Sequence, residues 1–363
     1  MLAPLQAPSR SGNPVHPATP HRHPYPCRAG LLAVACLLSG VVPATACEVV
    51  DAYSAVARTA VATASATPEE ELRAFHEQVI DRFPGLYAQH VLGLKPGPHL
   101  DDAIHAALKG AREDATRDQL LLRLRAAIDD ASKAFEVFPD FRCDFPVYLA
   151  DTLGQLDGAG REVDGRRALV LGIGNLAAEQ ASLPLAILMS HEMFHRYHYQ
   201  AAGYSDDLNE RQPIWQALWV EGLATYASQV LAPGTTLSDA LADGELAQRA
   251  APLLPSLAGD LLAHMDETNV AVFDRYFSYG DEDVQRRGLP WRSGYYVGYV
   301  VAKELARRHT LAALAHLKGA RLHDKVADEL RRLARTRPAK SMPAPVTGQQ
   351  RTDGGYEYCA RER

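Results

Sequence analysis

The feature that most limits how this chain can fold is an apolar helical stretch with ionisable groups in its middle. Residues 183–198 read LPLAILMSHEMFHRYH. Ser182 can cap this stretch and Pro184 is tolerated in a first turn, so a helix is expected over about 183–201, before Gly203. His191 and His195 are four apart, which places both imidazoles on one helix face, about one turn from each other. Two nitrogens so spaced can converge on one Zn²⁺ at about 2.0–2.1 Å each. Glu192 is rotated from His191 by roughly 100°, where its carboxylate can reach a water at the metal without being a ligand. H-E-x-x-H is the helical zinc-protease pattern for these geometric reasons. With 14 His in the chain, five letters alone do not decide between this and an ordinary structural pair. A catalytic zinc usually takes three protein ligands, so the fold must bring a third to this helix.

Residues 215–226 read WQALWVEGLATY. Glu221 interrupts their apolar run, and a carboxylate among Trp219, Val220 and Leu223 is costly to bury without a partner such as a metal. HEMFH followed by WVEGLATYAS resembles the gluzincin metallopeptidases, whose third ligand is a Glu on the helix after the HExxH helix. The W-x-x-EGLA-x-Y form is similar to bacterial families described as predicted zinc-dependent proteases. The resemblance implies His191, His195 and Glu221 as zinc ligands and Glu192 as catalytic base. The 26 positions between His195 and Glu221 exceed the spacing of thermolysin-like members. The intervening YSDDLNER segment reads as a loop with rival ligands in Asp206, Asp207 and Glu210; a helix holds a ligand more firmly than a loop does. His198 lies seven after His191, roughly 10 Å along the axis, too far for all three His to share one ion, and reads as a surface residue or a support to the ligands. The metzincin pattern wants His where this chain has Ala201.

Two further segments bear on the site. Thr225 shares the Glu221 face and can hydrogen-bond a ligand, or simply pack. Residues 290–302, PWRSGYYVGYVVA, open another helix with Tyr295, Gly298, Tyr299 and Ala302 on one side. In gluzincins a Tyr from a later helix often stabilises the oxyanion, and GYYVGY resembles that element. Tyr295 is the first candidate, ahead of Tyr296 and Arg292; aromatic core packing is the plain alternative.

Export is expected from the N-terminus. Residues 1–28 carry Arg10, Arg22 and Arg28 with no acid, the fourteen residues 29–42 are small or apolar, and P-A-T-A-C follows at 43–47. That is the layout of a signal peptide over 1–46, too short to anchor as a span of roughly twenty residues. Cys47 after the cut resembles the lipobox of bacterial lipoproteins, although Ala44 stands where Leu is preferred. Lipid anchoring at Cys47 and ordinary cleavage are both open, giving a periplasmic or a membrane-anchored protein. If Cys47 is lipidated, Cys143 and Cys359 remain as an even pair, and a Cys143–Cys359 disulfide is expected. Without residues 1–46 the chain carries 35 basic and 44 acidic residues, a net charge of −9. No block of like charge appears, so nucleic acid is a poor partner.

The mature chain reads as a flexible tether over 47–66, a single domain over 67–335 and a disordered tail over 336–363. Thr67-Pro68-Glu69-Glu70 marks a helix start with a capping box. Helices are expected over 68–82, 101–111 and 116–137, strands over 145–149 and 167–173 joined by a Gly- and Asp-rich turn region, and mostly helix from 183 to 335. The class is α+β: a mostly helical zincin-like domain with a small mixed sheet before the HExxH helix. The G-x-G-x-x-A at 172–177 imitates a dinucleotide fingerprint, but Glu192 falls in a helix rather than ending a second strand. Gly172 and Gly174 are better read as allowing close backbone approach. The functional expectation is an exported zinc peptidase acting on a peptide or protein substrate. A non-catalytic zincin-frame scaffold and a zinc hydrolase of non-peptide amides or esters are the alternatives. The 167–173 strand is expected to receive an extended peptide if it lies at the sheet edge.

Overall fold

The structure is a computed structural model and describes residues 47–178, 184–204, 212–280 and 286–336. Residues 1–46, Ser182, Asp206, Asp207, Glu210, Cys359 and 337–363 lie outside the described residues. The described chain is mostly helical with one small mixed sheet, an α+β arrangement.

The sheet comprises β1 (Val49–Asp51), β2 (Val147–Ala150), β3 (Gly158–Val163) and β4 (Arg166–Gly172), in the order β1-β2-β4-β3. The first three in that order run parallel and β3 is antiparallel to β4. Both expected strands are present, and two more accompany them. β3 lies inside the segment expected as a turn region, because Gly158 and Gly160 mimic loop composition. The true turn is Asp164-Gly165, both left-handed, which closes the β3–β4 hairpin in two residues. β4 is therefore paired on both sides, and the edge strands are β1 and β3; the expectation of an open edge at 167–173 is corrected accordingly.

The segment 47–66 is not a tether. Val49, Val50 and Asp51 pair with β2, and α1 (Tyr53–Ala62) buries Tyr53, Val56 and Ala60 at helical spacing. Its threonines satisfy themselves on the preceding turn, Thr59 donating to the Ala55 carbonyl and Thr63 to that of Thr59. Ala, Thr and Val in a helix that packs on its neighbours look in composition like a linker. The cysteine expectation also changes. Cys47 is bonded to Cys143, with Cα atoms 5.1 Å apart, which replaces the Cys143–Cys359 pairing and leaves no Cys47 thiol for a thioether lipid. The bridge ties the start of β1 to the segment that leads into β2.

α2 (Pro68–Phe75) begins on the expected capping box, with Glu70 N–H donating to Thr67 Oγ1 and Thr67 N–H to Glu70 Oε2. The short α3 (Gln89–Leu92) packs near β3, and α4 (Pro98–Glu113) and α5 (Thr116–Ala134) complete the N-terminal helices. After β4 comes α6 (Ile173–Ala178). The glycines at its start allow close approach of the chain itself: a Cβ at Gly172 would lie 1.8 Å from the Leu156 carbonyl oxygen and one at Gly174 3.0 Å from Asp151 Oδ2.

The helices that build the site follow. α7 (Leu185–Ala202) ends at left-handed Gly203, packs against β3 and α5, and is buried continuously over 187–199. α8 (Ile214–Leu231) packs on α7, followed by the short α9 (Leu237–Leu241) and α10 (Leu246–Ala250), then α11 (Leu254–His264) and α12 (Val270–Phe277). α13 (Ser293–Leu305) lies across α8. Their crossing is glycine on glycine: a Cβ on Gly222 would fall 2.3 Å from Gly298 Cα, and one on Gly298 2.4 Å from the Leu218 carbonyl oxygen. The backbones touch there, so α13 brings Tyr295 close to the turn of α8 that carries Glu221.

Candidate metal centre

α7 and α8 are largely apolar, and three of their ionisable residues face one another. His191, His195 and Glu221 are all buried. His191 Nε2 and His195 Nε2 are 3.0 Å apart, and each lies 3.6 Å from Glu221 Oε2. Among the described residues this is the group of His, Cys, Asp or Glu whose ligand atoms all fall within 4.8 Å of one another, the arrangement needed to hold a metal ion. Glu221 Oε2 is buried with no hydrogen bond, since 3.6 Å is beyond bonding distance. A buried carboxylate oxygen aimed at two imidazole nitrogens and bonded to neither is what a cation placed between them would satisfy.

The electrostatics agree. Burial pushes His191 down to about 4, against the pull of Glu221. Burial also works on His195, yet the charge of Glu221 outweighs it and His195 ends above its ordinary value. Glu221 is held well below the carboxylate range: burial would raise it, and His195 and His191 more than reverse that. One of the two rings donates to the other across the 3.0 Å contact between their Nε2 atoms. A metal ion would take the place of that proton. His195 Nδ1 is buried without a hydrogen bond, so this ligand lacks the oriented partner that metal-bound imidazoles usually have.

Glu192 is 1% exposed, and its Oε1 has no hydrogen bond. Burial first, with Glu221 adding to it and His195 opposing, lifts it to about 7. Room for this side chain comes from β3. Gly158 faces α7, and a Cβ there would meet Leu171 at 3.2 Å and both Glu192 Cγ and Leu188 at 3.5 Å. The strand hidden in glycine-rich sequence is therefore the one that lies over Glu192.

Tyr295 is buried and lines a small cavity together with His191, Arg292, Ile187, Ala240 and Ala242. Tyr299 points elsewhere, donating to Gln229 Oε1 at 2.7 Å, and Tyr296 is not among the cavity's lining residues. Thr225 donates to the backbone carbonyl of Glu221 at 2.8 Å, a helix bond that leaves the carboxylate untouched. His198 is fully buried rather than at the surface, among Phe194, Tyr199 and Tyr204, and burial pushes it down to about 3. It stands outside the three-ligand group. The contacts of Gly158 with Glu192 and of Gly222 with Gly298 escaped the sequence reading, although Gly222 and Gly298 sit inside the two segments it singled out. Comparison with protein-family models, with curated proteins and with solved structures finds no match.

Proposed function

We propose that this chain is an exported zinc-dependent metallopeptidase of the gluzincin kind, with a zincin-like domain that hydrolyses bonds in a peptide or protein substrate. The observation that carries the reading is the convergence of His191, His195 and Glu221, with a buried carboxylate beside them that is spent on neither ligation nor, at Oε1, a hydrogen bond. Two imidazoles and one carboxylate form the donor set of a catalytic Zn²⁺ site, in which a fourth position stays open. When bound, the ion supplies Lewis acidity to the scissile carbonyl and makes a water acidic near neutral pH.

Glu192 takes the proton from the attacking water at its carboxylate. The water oxygen joins the carbonyl carbon, the C–N bond breaks, and Glu192 returns the proton to the leaving amine. Tyr295 lines the same cavity as His191 and is the donor for the negative charge that grows on the carbonyl oxygen. A metal serving structure alone needs no carboxylate at Glu192. β3, the edge strand packed on α7, takes over the role of pairing with an extended substrate. The Cys47–Cys143 disulfide supports export to an oxidising compartment.

The test is metal analysis joined to peptide-library cleavage, with Glu192→Gln beside the wild type. The variant is expected to keep its zinc and to lose about 10²–10⁴-fold in cleavage rate. A wild type that binds no zinc would sink the site. Zinc without any Glu192-dependent peptide cleavage would leave a scaffold, or a hydrolase of other amides and esters.

A further inference from the structure

α7 carries a third buried histidine that the three-ligand group does not use. His198 stands three positions after His195, the spacing of neighbours on one helix face. It is 0% exposed, and neither its Nδ1 nor its Nε2 has a hydrogen-bond partner. His195 Nδ1 and the Tyr204 hydroxyl are buried without a partner as well. These groups belong to one cluster of rings. Between ring centres, Tyr199 lies 6.3 Å from His195, 6.4 Å from His198 and 5.9 Å from Tyr204, and His198 lies 5.5 Å from Tyr204.

Leaving such atoms unsatisfied costs about 1–3 kcal/mol for each. Buried polar atoms that gather without reaching one another are ordinarily joined by ordered water, which makes several hydrogen bonds at once. Donors and acceptors match for water in this cluster. A His195 that gives Nε2 to a metal keeps its proton on Nδ1, so Nδ1 is a donor. A neutral imidazole at His198 offers one bare nitrogen and one N–H, and the Tyr204 hydroxyl can donate or accept. Water can therefore accept from His195 Nδ1 and donate to the bare nitrogen of His198, with the Tyr204 hydroxyl as a further partner. Metal-bound imidazoles usually have a partner of this kind on the second nitrogen, and it sets their tautomer and ring orientation.

We propose that His198 and Tyr204 are positioning residues of the metal centre, which together hold ordered water on His195 Nδ1 and so orient that ligand. The inference rests on the metallopeptidase reading for the metal, though not for the water.

Competitive Zn²⁺ titration of the wild type, His198→Phe and Tyr204→Phe is the first test. His198→Phe is expected to lower zinc affinity about 10–100-fold. Tyr204→Phe deletes one hydroxyl and keeps the ring, so it covers the case of a misfolded His198 variant; its expected loss is about three- to tenfold. His198→Gln, which returns a donor and an acceptor, should recover most of the affinity. A merely structural role would lower the stability of the metal-free proteins in denaturant melts and leave the zinc affinity of the folded fraction alone. Zinc held equally by the wild type and both Phe variants overturns the positioning role and leaves the metallopeptidase reading standing. A wild type that binds no zinc fails that reading and takes the positioning role with it. The second test is a crystal structure of the metal-free wild type, in which ordered water is expected within hydrogen-bond distance of both His195 Nδ1 and a His198 nitrogen. A dry cluster overturns the proposal.

Discussion

Two buried carboxylates of the described residues, Asp151 and Glu221, are held on opposite plans. At the end of β2, Asp151 is 3% exposed and closed on every side. Arg117 Nη1 donates to its Oδ2 at 3.1 Å, the Leu153 N–H donates to its Oδ1 at 3.0 Å, and the Tyr87 hydroxyl binds its carbonyl at 3.0 Å. Between α7 and α8, Glu221 is buried to a similar degree, yet its Oε2 stands 3.6 Å from two imidazoles and bonds to neither. The first carboxylate has its hydrogen bonds from the chain, although Arg117 Nε beside it has none. The second is arranged around a point that the chain does not fill. The two carboxylates are alike in burial and differ in whether the chain satisfies them.

Removing one carboxylate from each cluster puts that distinction at risk. Asp151→Ala strands a guanidinium that cannot shed its proton, and the expected loss is about 3 kcal/mol of stability. Asp114, 3.5 Å from Arg117 Nε, keeps it at the low end of the usual range. Glu221→Gln strands only an imidazole, which can deprotonate, so the metal-free protein should lose about 1 kcal/mol or less. Its metal affinity should instead fall by more than ~100-fold, beyond the cost of losing an outer partner. Denaturant melts of the metal-free variants and competitive metal titrations give the two readouts. Equal destabilisation by both substitutions would erase the comparison.

The closed side also has a covalent clamp. Cys47 and Cys143 are separated by 96 positions, and joining them removes a large loop from the unfolded ensemble. Cys143→Ser, or reduction, should cost about 2–4 kcal/mol and leave metal affinity unchanged, because the bridge holds β1 to the approach to β2 and supplies none of the three candidate ligands. A metal affinity that fell with reduction would show that the two regions are mechanically linked.

The site was legible in sequence where chemistry is local. His191 and His195 follow from helical spacing, and Glu221 from being a carboxylate in an apolar run. What spacing cannot carry is contact between distant segments. Gly158 looked like turn composition and proved to be the edge strand over Glu192; Ala-rich α1 looked like a tether and proved to be core. In both cases small residues were chosen for close approach, and smallness has no period to read. Gly222 shows the same physics. A Cβ there would sit 2.2 Å from the Gly298 carbonyl carbon, backbone that cannot swing aside. Gly222→Ala should therefore force α13 off α8, costing about 1–3 kcal/mol, and should displace Tyr295 as well. A cleavage rate that falls while metal content holds would assign that displacement to Tyr295 rather than to the ligands.

The smallest effect concerns protons, and it separates an open cluster from a closed one without any substitution. His195 is raised above its ordinary value because Glu221 outweighs burial, while His191, pushed down to about 4, is already neutral near pH 7. A metal needs both imidazoles neutral. Below the raised pKa of His195, each ion bound must therefore displace one proton from that ring, and log affinity should climb with pH by about one per unit. Above that pKa the ring is already neutral and the dependence should flatten. Were the two His ordinary, both would titrate together near 6.5, and up to about two protons would leave in acid. Calorimetry in buffers of different ionisation enthalpy counts the protons directly. A count near two at pH 6 would mean that Glu221 does not hold the proton on His195 alone, and would remove the asymmetry that distinguishes this site from a plain histidine pair.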